Sequence, residues 1–382
     1  MDRRTFLKKT SGAAAGAAVA GLVPELTQEA AAQAAGSVPG IKVAAPANPG
    51  KLVRVTYPGT VKGGKIKSRK ILNGDMARTM VHRALTEFTG QPDAVKALGQ
   101  FIKADDVVGL KVNCLGSPGA SSHPDITYAV ADLCQKLGVT EDRIIIYDQY
   151  GSRMQRGGYK LTDKKGKIRV IRHWGRSPGR QDPKWGYGPM TDTPAGPTRF
   201  AKILDMVTAI IAFPVPKDHD FTGVTGAMKN MAFGNIEVVP KFHCNKGYGW
   251  IDGKKSRKKG TCQPVCKWGA CSVARMYAAP QITSKIRLHI ADATSVLFHG
   301  GPQYQARWTK AYDSVIIATD PVALDALFLK IVDEHRAAKK MVPINEIKRP
   351  RRRPAVHIAH AEAMGLGIAD PAKWDYREVT IS

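Results

Sequence analysis

The chain has 382 residues, with 58 Lys or Arg against 32 Asp or Glu, and its formal net charge is +26. Hydrophobic residues make up 43% of it, enough to bury a full core, which excludes a disordered polyelectrolyte, and six cysteines in this length exclude a small disulfide-stapled scaffold. At roughly 150 residues per domain, the length fits two domains or one large α/β domain with insertions.

The first 34 residues predict an export signal. Arg3 and Arg4, followed by an apolar pair and a lysine, resemble the twin-arginine motif. A weakly apolar run at 11–23 is too short to span a bilayer, and Ala32-Gln33-Ala34 offers a small-x-small cleavage site. We therefore expect export by the twin-arginine machinery, a periplasmic or secreted location, and no stable membrane insertion. Export also makes nucleic acid a poor physiological partner, despite the positive charge.

Residues 35–74 are rich in Gly, Pro and Lys and predict an N-terminal tether that contains a possible first strand at 52–55. An α/β domain is predicted over 75–370, interrupted by polar insertions at about 149–200 and 239–280. Residues 371–382 are predicted as a C-terminal tail.

Short apolar runs alternate with amphipathic helical patterns after Asp75, the predicted N-cap of the first helix. A strand at 106–113, a helix at 124–137 and a strand at 143–148 make a βαβ unit, which implies parallel pairing. Further predicted elements are strands at 167–171, 206–213, 286–292 and 314–320, a helix from Pro321 to about Arg336, and a short helix at 355–364. This pattern predicts a mostly parallel open sheet with helices on both faces and long loop insertions.

Polar residues follow the predicted strands at Asn113, Asp148, the 214–219 turn, Asp292 and Asp320. The carboxyl ends of parallel strands line the ligand crevice of an open sheet, so these side chains are expected to converge. These residues can also serve the fold alone. Asp320 suits a helix N-cap, and Asp148 suits a turn.

The segment from Lys217 to Asn230 is the densest in chemically useful side chains. Backbone N–H groups after its glycines, with Lys217 and Lys229, would suit an anion, although the P-loop spacing is absent. His219, between two aspartates, suits a metal ligand or a general base. The alternative is a surface turn with a solvated histidine.

Four cysteines lie within the second insertion and follow His243: Cys244, Cys262, Cys266 and Cys271. Together with His243 and Asp292 they are predicted to bind an iron–sulfur cluster or a divalent metal. Their spacing matches neither ferredoxin runs nor zinc ribbons, and two structural disulfides or free thiols are the alternatives.

At this point the chain resembles the domain of unknown function 362 family over about residues 105–370. The most specific matching motif is the segment from Thr222 to Asn230, TGVTGAMKN. The other matching motifs are Val112-Asn113, His123-Pro124, Leu137-Gly138, Asp148, Pro214 to His219, Ile290 to Ala293, Gly300-Gly301-Pro302, Ala318 to Asp325 and Gly365-Leu366-Gly367.

Some members of that family are joined to ferredoxin-like cluster domains, whereas in this chain the cysteines lie in an insertion. The resemblance implies that seven residues form one site: His123, His219, Lys229, Asn230, Asp292, Asp320 and Asp325.

These observations favour an exported protein that depends on a metal or an iron–sulfur cluster. We expect it to be a redox enzyme with its site at the carboxyl edge of the sheet. His219, Lys229 and Asp320 are the predicted catalytic residues. The predicted substrate-binding residues are Asn113, His123, Lys217, Thr225 and Asn230. The alternatives are a hydrolase or transferase acting on a small anionic substrate, and a non-catalytic polyanion binder that uses the basic runs at 254–259 and 348–353.

Overall fold

A computed structural model describes the following residues: 43–62, 72–174, 184–243, 249–251, 254–256, 272–348 and 354–382. The predicted export signal and the four clustered cysteines lie outside them. Within the described ranges, no helix has the length and apolar composition needed to cross a bilayer.

Fourteen strands are found in the described residues: β1 Lys51–Thr56, β2 Val108–Lys111, β3 Ile144–Asp148, β4 Arg169–Arg172, β5 Tyr187–Thr191, β6 Thr198–Ala201, β7 Ala209–Ala212, β8 Lys217–His219, β9 Gly223–Thr225, β10 Gly249–Ile251, β11 Lys254–Ser256, β12 Ile286–Leu297, β13 Thr309–Ala318 and β14 Asp375–Thr380. Ten of them form one sheet, in which eight follow the order β14-β1-β13-β12-β7-β2-β3-β4, while β8 pairs with β12 and β9. The hairpins β5–β6 and β10–β11 stand apart from it.

The α-helices in the described residues are α1 Gly74–Thr89, α2 Ala94–Gly99, α3 Pro124–Lys136, α4 Gly151–Gly157, α5 Ile203–Met206, α6 Ala227–Ala232, α7 Val239–Phe242, α8 Ser272–Tyr277, α9 Pro280–Thr283, α10 Pro321–Ala337 and α11 His357–Ala363. They cover both faces of the sheet, with one apolar cluster under α1, α2 and α3 and a second under α6, α8, α10 and α11. Alternate side chains of β3 and β7 enter opposite clusters, as expected for strands buried on both faces.

The mostly parallel α/β sheet predicted from the sequence is confirmed. Strands β12, β7, β2, β3 and β4 are parallel neighbours, and β2, α3 and β3 form the predicted βαβ unit. Among the eight strands of the main order, the antiparallel exception is β13, which runs against both β12 and β1. Its direction decides which strand ends share an edge.

Segments predicted as a tether and a tail lie in the main sheet. Strand β1 pairs with β13, and β14 pairs with β1 in parallel as the last strand of the sheet. The mostly exposed side chains of β14 explain why its sequence lacks an apolar strand pattern. The α/β domain therefore includes residues before 75 and after 370.

Two local predictions were wrong. Asn73 rather than Asp75 caps α1, because the Asn73 side chain accepts a hydrogen bond from the backbone N–H of Met76. The apolar run at 206–213 is not one strand, since Met206 ends the short helix α5 and only Ala209–Ala212 forms β7.

Candidate functional site

The carboxyl ends of β2, β3 and β7 form one edge of the sheet. Lys111 of β2 pairs with Tyr147 of β3 on one side and with Ala212 of β7 on the other, so these three strands end at nearly the same level. Strand β12 continues past this level and pairs with β8 at Leu297. The β8–β9 hairpin and α6 therefore follow the edge directly.

Lys111 is fully buried at this edge and is held by three acceptors. Its Nζ donates to Asp148 Oδ1 at 2.7 Å, to the Val112 carbonyl oxygen at 2.7 Å and to Asn230 Oδ1 at 3.0 Å. A lysine ammonium has three N–H donors and no acceptor, so its hydrogen-bonding capacity is filled. Asp148 also accepts from the backbone N–H groups of Cys114 and Gln149.

The contact with Lys111 fixes the side-chain amide of Asn230. Because Lys111 can only donate, the Asn230 atom that faces it must be the carbonyl oxygen Oδ1. The amide nitrogen Nδ2 is buried and has no hydrogen-bond partner among the described residues. The hydroxyl of Thr225, two residues before α6, is also buried without a hydrogen-bond partner among the described residues. Buried donors without acceptors are uncommon and suggest a ligand or water at the position they face.

Lys217 is the second fully buried lysine. Its Nζ donates to Asn113 Oδ1 at 2.6 Å and to the Ala120 carbonyl oxygen at 3.2 Å. The contact joins β8 to Asn113, two residues after the end of β2, as the strand-end argument predicted for Asn113 and Lys217.

Lys229 is the third buried lysine, and it differs from the other two. Its Nζ donates to Thr222 Oγ1 at 3.1 Å and lies 5.6 Å from the centre of the Phe233 ring. Within the described residues it forms no ion pair with a carboxylate. Burial, followed by the positive charge of Lys217, holds the pKa of Lys229 well below its usual value. A lysine with a strongly lowered pKa is an amine base or nucleophile rather than a permanent cation.

His219 belongs to the same segment as Lys217 and Lys229, and its ring stacks on the ring of His243. Nδ1 of His219 accepts a hydrogen bond from the Phe221 backbone N–H at 3.0 Å, which places the ring proton on Nε2. The His219 and His243 rings are 5.4 Å apart and nearly parallel, and the His243 ring meets Phe233 edge-on. Burial, followed by the charge of Lys229, lowers the pKa of His243 well below its usual value.

Surface exposure separates the polar residues of this edge into two groups. Lys111 and Lys217 are fully enclosed. Six predicted residues keep a small accessible area, between 4 and 6% of each residue: Asn113, His123, His219, Thr225, Lys229 and Asn230. This second group is the part of the edge that solvent reaches, and Lys111 and Lys217 contact Asn230 and Asn113 of this group from inside the fold. His123 also caps α3, and its side-chain Nδ1 accepts from the Asp125 backbone N–H.

Asp320 does not join the other predicted catalytic residues. Because β13 runs antiparallel to β12, Asp320, two residues after the end of β13, lies toward the amino-terminal ends of the parallel strands. Its two carboxylate oxygens accept from the backbone N–H groups of Val322, Ala323, Gly50 and Ile368. Asp320 therefore caps α10 and ties the start of β1 to the C-terminal segment, as the capping alternative predicted.

Asp325, which the family resemblance placed in the site, supports it from α10. Its carboxylate accepts from the backbone N–H groups of Ala227 and Met228. It thereby fixes the start of α6, the helix that carries Lys229 and Asn230.

Of the predicted metal ligands, Asp292 and His243 belong to the described part of the chain. Asp292 is fully buried, and its carboxylate accepts from the His123 backbone N–H at 2.7 Å and from Thr294 N–H and Oγ1 at 3.1 and 2.6 Å. Among the residues that the structure describes, no three His, Cys, Asp or Glu side chains are grouped as metal ligands would be. The four clustered cysteines are outside that part of the chain.

Two residues of this edge were missing from the predicted site. Lys111 could have been found, because a lysine in the apolar strand VGLK, two residues before Asn113, shares a strand face with it. His173 is fully buried between the Tyr147 and Tyr187 rings, and burial lowers its pKa to about 3. Its position after β4, inside the polar insertion predicted at about 149–200, gave no comparable signal.

Comparison with known proteins gives one family match. The family model described as "Domain of unknown function (DUF362)" matches residues 108–330, which include β2 and the whole site segment. A search of curated proteins found no match.

Two solved structures show distant similarity. The lactate racemase apoprotein from Thermoanaerobacterium thermosaccharolyticum matches with a TM-score of 0.39 and 13% identity, over 69% of this chain and 56% of that one. A Thermotoga maritima structural genomics protein matches with a TM-score of 0.37 and 11% identity, over 71% and 60% of the two chains. This chain thus spans less than two thirds of either structure, and similarity at this level carries no functional inference.

Proposed function

The chain belongs to the DUF362 family, a domain of unknown function, and we propose that its carboxyl-edge site binds a small anionic substrate on which Lys229 acts as a base. This proposal takes up the hydrolase or transferase alternative of the sequence interpretation. It moves the predicted role of the base from His219 to Lys229.

The observation that carries the proposal is the unpartnered Nδ2 group of Asn230. Its orientation is fixed by Lys111, so it offers N–H donors that no described residue accepts. Leaving such a group unsatisfied costs about 1–3 kcal/mol. A carboxylate or phosphate oxygen supplies the missing acceptor, and the Thr225 hydroxyl can donate to the same ligand.

Charge supports the same substrate class. Lys217 and Lys229 are both buried beside the strand ends, and the charge of Lys217 is one cause of the lowered pKa of Lys229. An incoming anion relieves this repulsion in a low-dielectric setting, where charge interactions are strong. Lys229, as a neutral amine, can then accept a proton from the bound substrate.

Calorimetric titration of the full chain with oxalate and with inorganic phosphate tests this function. We expect saturable binding of at least one anion to the wild-type protein, and Asn230→Asp should weaken it by about tenfold or more, equivalent to about 1.4 kcal/mol. The variant keeps an acceptor for Lys111, but it replaces the free donor with a negative oxygen.

Asn345→Asp is the matched control, because it makes the same charge change and keeps the acceptor for the Ala355 backbone N–H. It should bind anions as the wild type does. Absence of binding to the wild-type protein, or equal affinity in Asn230→Asp, would contradict the proposed function.

A second candidate function is the metal- or iron–sulfur-dependent redox activity expected from the sequence. The observation that favours it is His243, which stacks on His219 at the site and directly precedes Cys244 in the sequence. His243, the last described residue before the cysteines, thus lies beside the proposed anion site. Thiolates of Cys244, Cys262, Cys266 and Cys271 would hold the metal or cluster.

Anaerobic purification, metal analysis and a visible spectrum test this second function. Stoichiometric metal that is lost in Cys262→Ser but retained in Cys134→Ser would support it. Cys134 is the control because it is a free, buried cysteine of α3. Disulfides that link the four cysteines, with no stoichiometric metal, would overturn it.

We propose export through the twin-arginine machinery to the periplasm or outside the cell, on the support of the N-terminal motif alone. The Arg3→Lys/Arg4→Lys variant should remain in the cytoplasm, while the wild-type protein is recovered outside it with a new N-terminus at about Ala35. Equal distribution of the two proteins between cell fractions would refute this proposal.

A further inference from the structure

The three buried lysines at the carboxyl edge have different numbers of acceptors. Lys111 donates to three oxygen atoms and Lys217 to at least two. Lys229 donates to one, Thr222 Oγ1, among the residues that the structure describes. A buried ammonium needs three acceptors, whereas a neutral amine has two N–H groups and a lone pair. The surroundings of Lys229 fit the amine.

The Thr222 hydroxyl determines which way this hydrogen bond runs. Its own hydrogen is donated to the Val224 carbonyl oxygen at 3.1 Å, so toward Lys229 the Thr222 oxygen acts as the acceptor. No described group donates to Lys229 Nζ, so none of the described residues uses the nitrogen lone pair. Phe233 adds an apolar ring near the nitrogen, and Lys229 keeps 6% of its area accessible.

We infer that Lys229 is a nucleophile that forms an imine with the carbonyl carbon of a small 2-oxo carboxylate. The inference rests on the anion binding of the proposed function, because the carboxylate of this substrate is the anion that the site binds. With this substrate the Lys229 amine bonds to the carbonyl carbon in place of accepting a proton. Burial in an apolar setting beside a second cationic group is the arrangement that activates amine nucleophiles.

The step balances without any added oxidant or reductant. The Lys229 lone pair forms the N–C bond to the carbonyl carbon, and a proton moves from nitrogen to the carbonyl oxygen, giving a carbinolamine. Loss of that hydroxyl group as water, together with the second nitrogen proton, gives the imine. Asn230 Nδ2 and Thr225 Oγ1 are donors for the carboxylate oxygens of the substrate.

Trapping with pyruvate and sodium cyanoborohydride, followed by intact mass spectrometry and peptide mapping, tests the inference. The reduced adduct adds the mass of pyruvate less one oxygen atom, and we expect it on Lys229. The adduct should fall to background in Lys229→Arg and should persist in Lys96→Arg, which alters an exposed lysine of α2. Excess oxalate, which has no ketone carbon, should compete with the adduct.

The outcomes separate the two proposals. If the wild-type protein binds oxalate but pyruvate gives no adduct at Lys229, the imine is overturned and the proposed function stands. If neither occurs, both are overturned. Circular dichroism and oxalate titration of Lys229→Gln, a second variant without the amine nucleophile, guard against a folding defect in Lys229→Arg. A folded Lys229→Gln protein that still gives the full adduct yield would also overturn the imine.

Discussion

Replacing Lys111 with methionine should lower the free energy of unfolding by about 3–5 kcal/mol, because it leaves the Asp148 carboxylate buried without its cation. The same change removes the donor to Asn230 Oδ1, which orients the amide in the site. Urea denaturation of the variant and the wild-type protein measures the loss.

Lys184→Met is the matched control for this prediction. Lys184 lies at the same 2.7 Å from Asp163, but both side chains are exposed, so its removal should cost less than about 1 kcal/mol. The double variant Lys111→Met/Asp148→Asn should recover part of the loss, because no unpaired charge remains. A Lys111→Met protein within 1 kcal/mol of the wild type would refute a structural role for this ion pair.

Replacing Lys229 with methionine should have the opposite effect and raise the free energy of unfolding at neutral pH by about 1–3 kcal/mol. The wild-type chain buries an amine that has one acceptor among the described residues, while methionine has similar length and no polar atom. The Thr222 hydrogen remains donated to Val224, so the substitution leaves no hydroxyl donor unsatisfied.

The pH dependence of this gain follows from the lowered pKa of Lys229. Between the folded and unfolded pKa values the unfolded chain holds one more proton, so wild-type stability rises with pH in that window. The free-energy cost of burying Lys229 is largest at pH values below its pKa in the folded state. This cost disappears as the pH approaches the pKa of an unfolded lysine, about 10.4. The advantage of Lys229→Met should therefore shrink toward alkaline pH. A destabilised Lys229→Met protein would indicate that Lys229 serves the fold.

The contrast between these lysines shows what the sequence can and cannot reveal. The strand-end argument brought Asn113, Asp148 and Lys217 to one edge, because buried parallel strands are marked by apolar runs whose ends can be read from the sequence. It failed for Asp320, since the direction of β13 depends on pairing with distant strands rather than on its own residues. The Asp320-Pro321 pattern is local and predicts a helix N-cap at Asp320, and the structure confirms this cap.

Other features could not be predicted for physical reasons. Strand β14 has few buried side chains, so no alternating pattern marks it. The different hydrogen bonding of Lys111, Lys217 and Lys229 depends on Asp148, Asn113 and Thr222, which come from different elements of the fold. A lysine in a sequence does not show how many acceptors will surround it.

The most direct test of the anion site is a crystal structure of the protein with oxalate bound. We predict an oxalate oxygen within hydrogen-bonding distance of Asn230 Nδ2, with the anion beside Lys229 and Thr225. Oxalate bound with full occupancy elsewhere while Asn230 Nδ2 stays unpartnered, or a site that remains empty at saturating oxalate, would contradict the account.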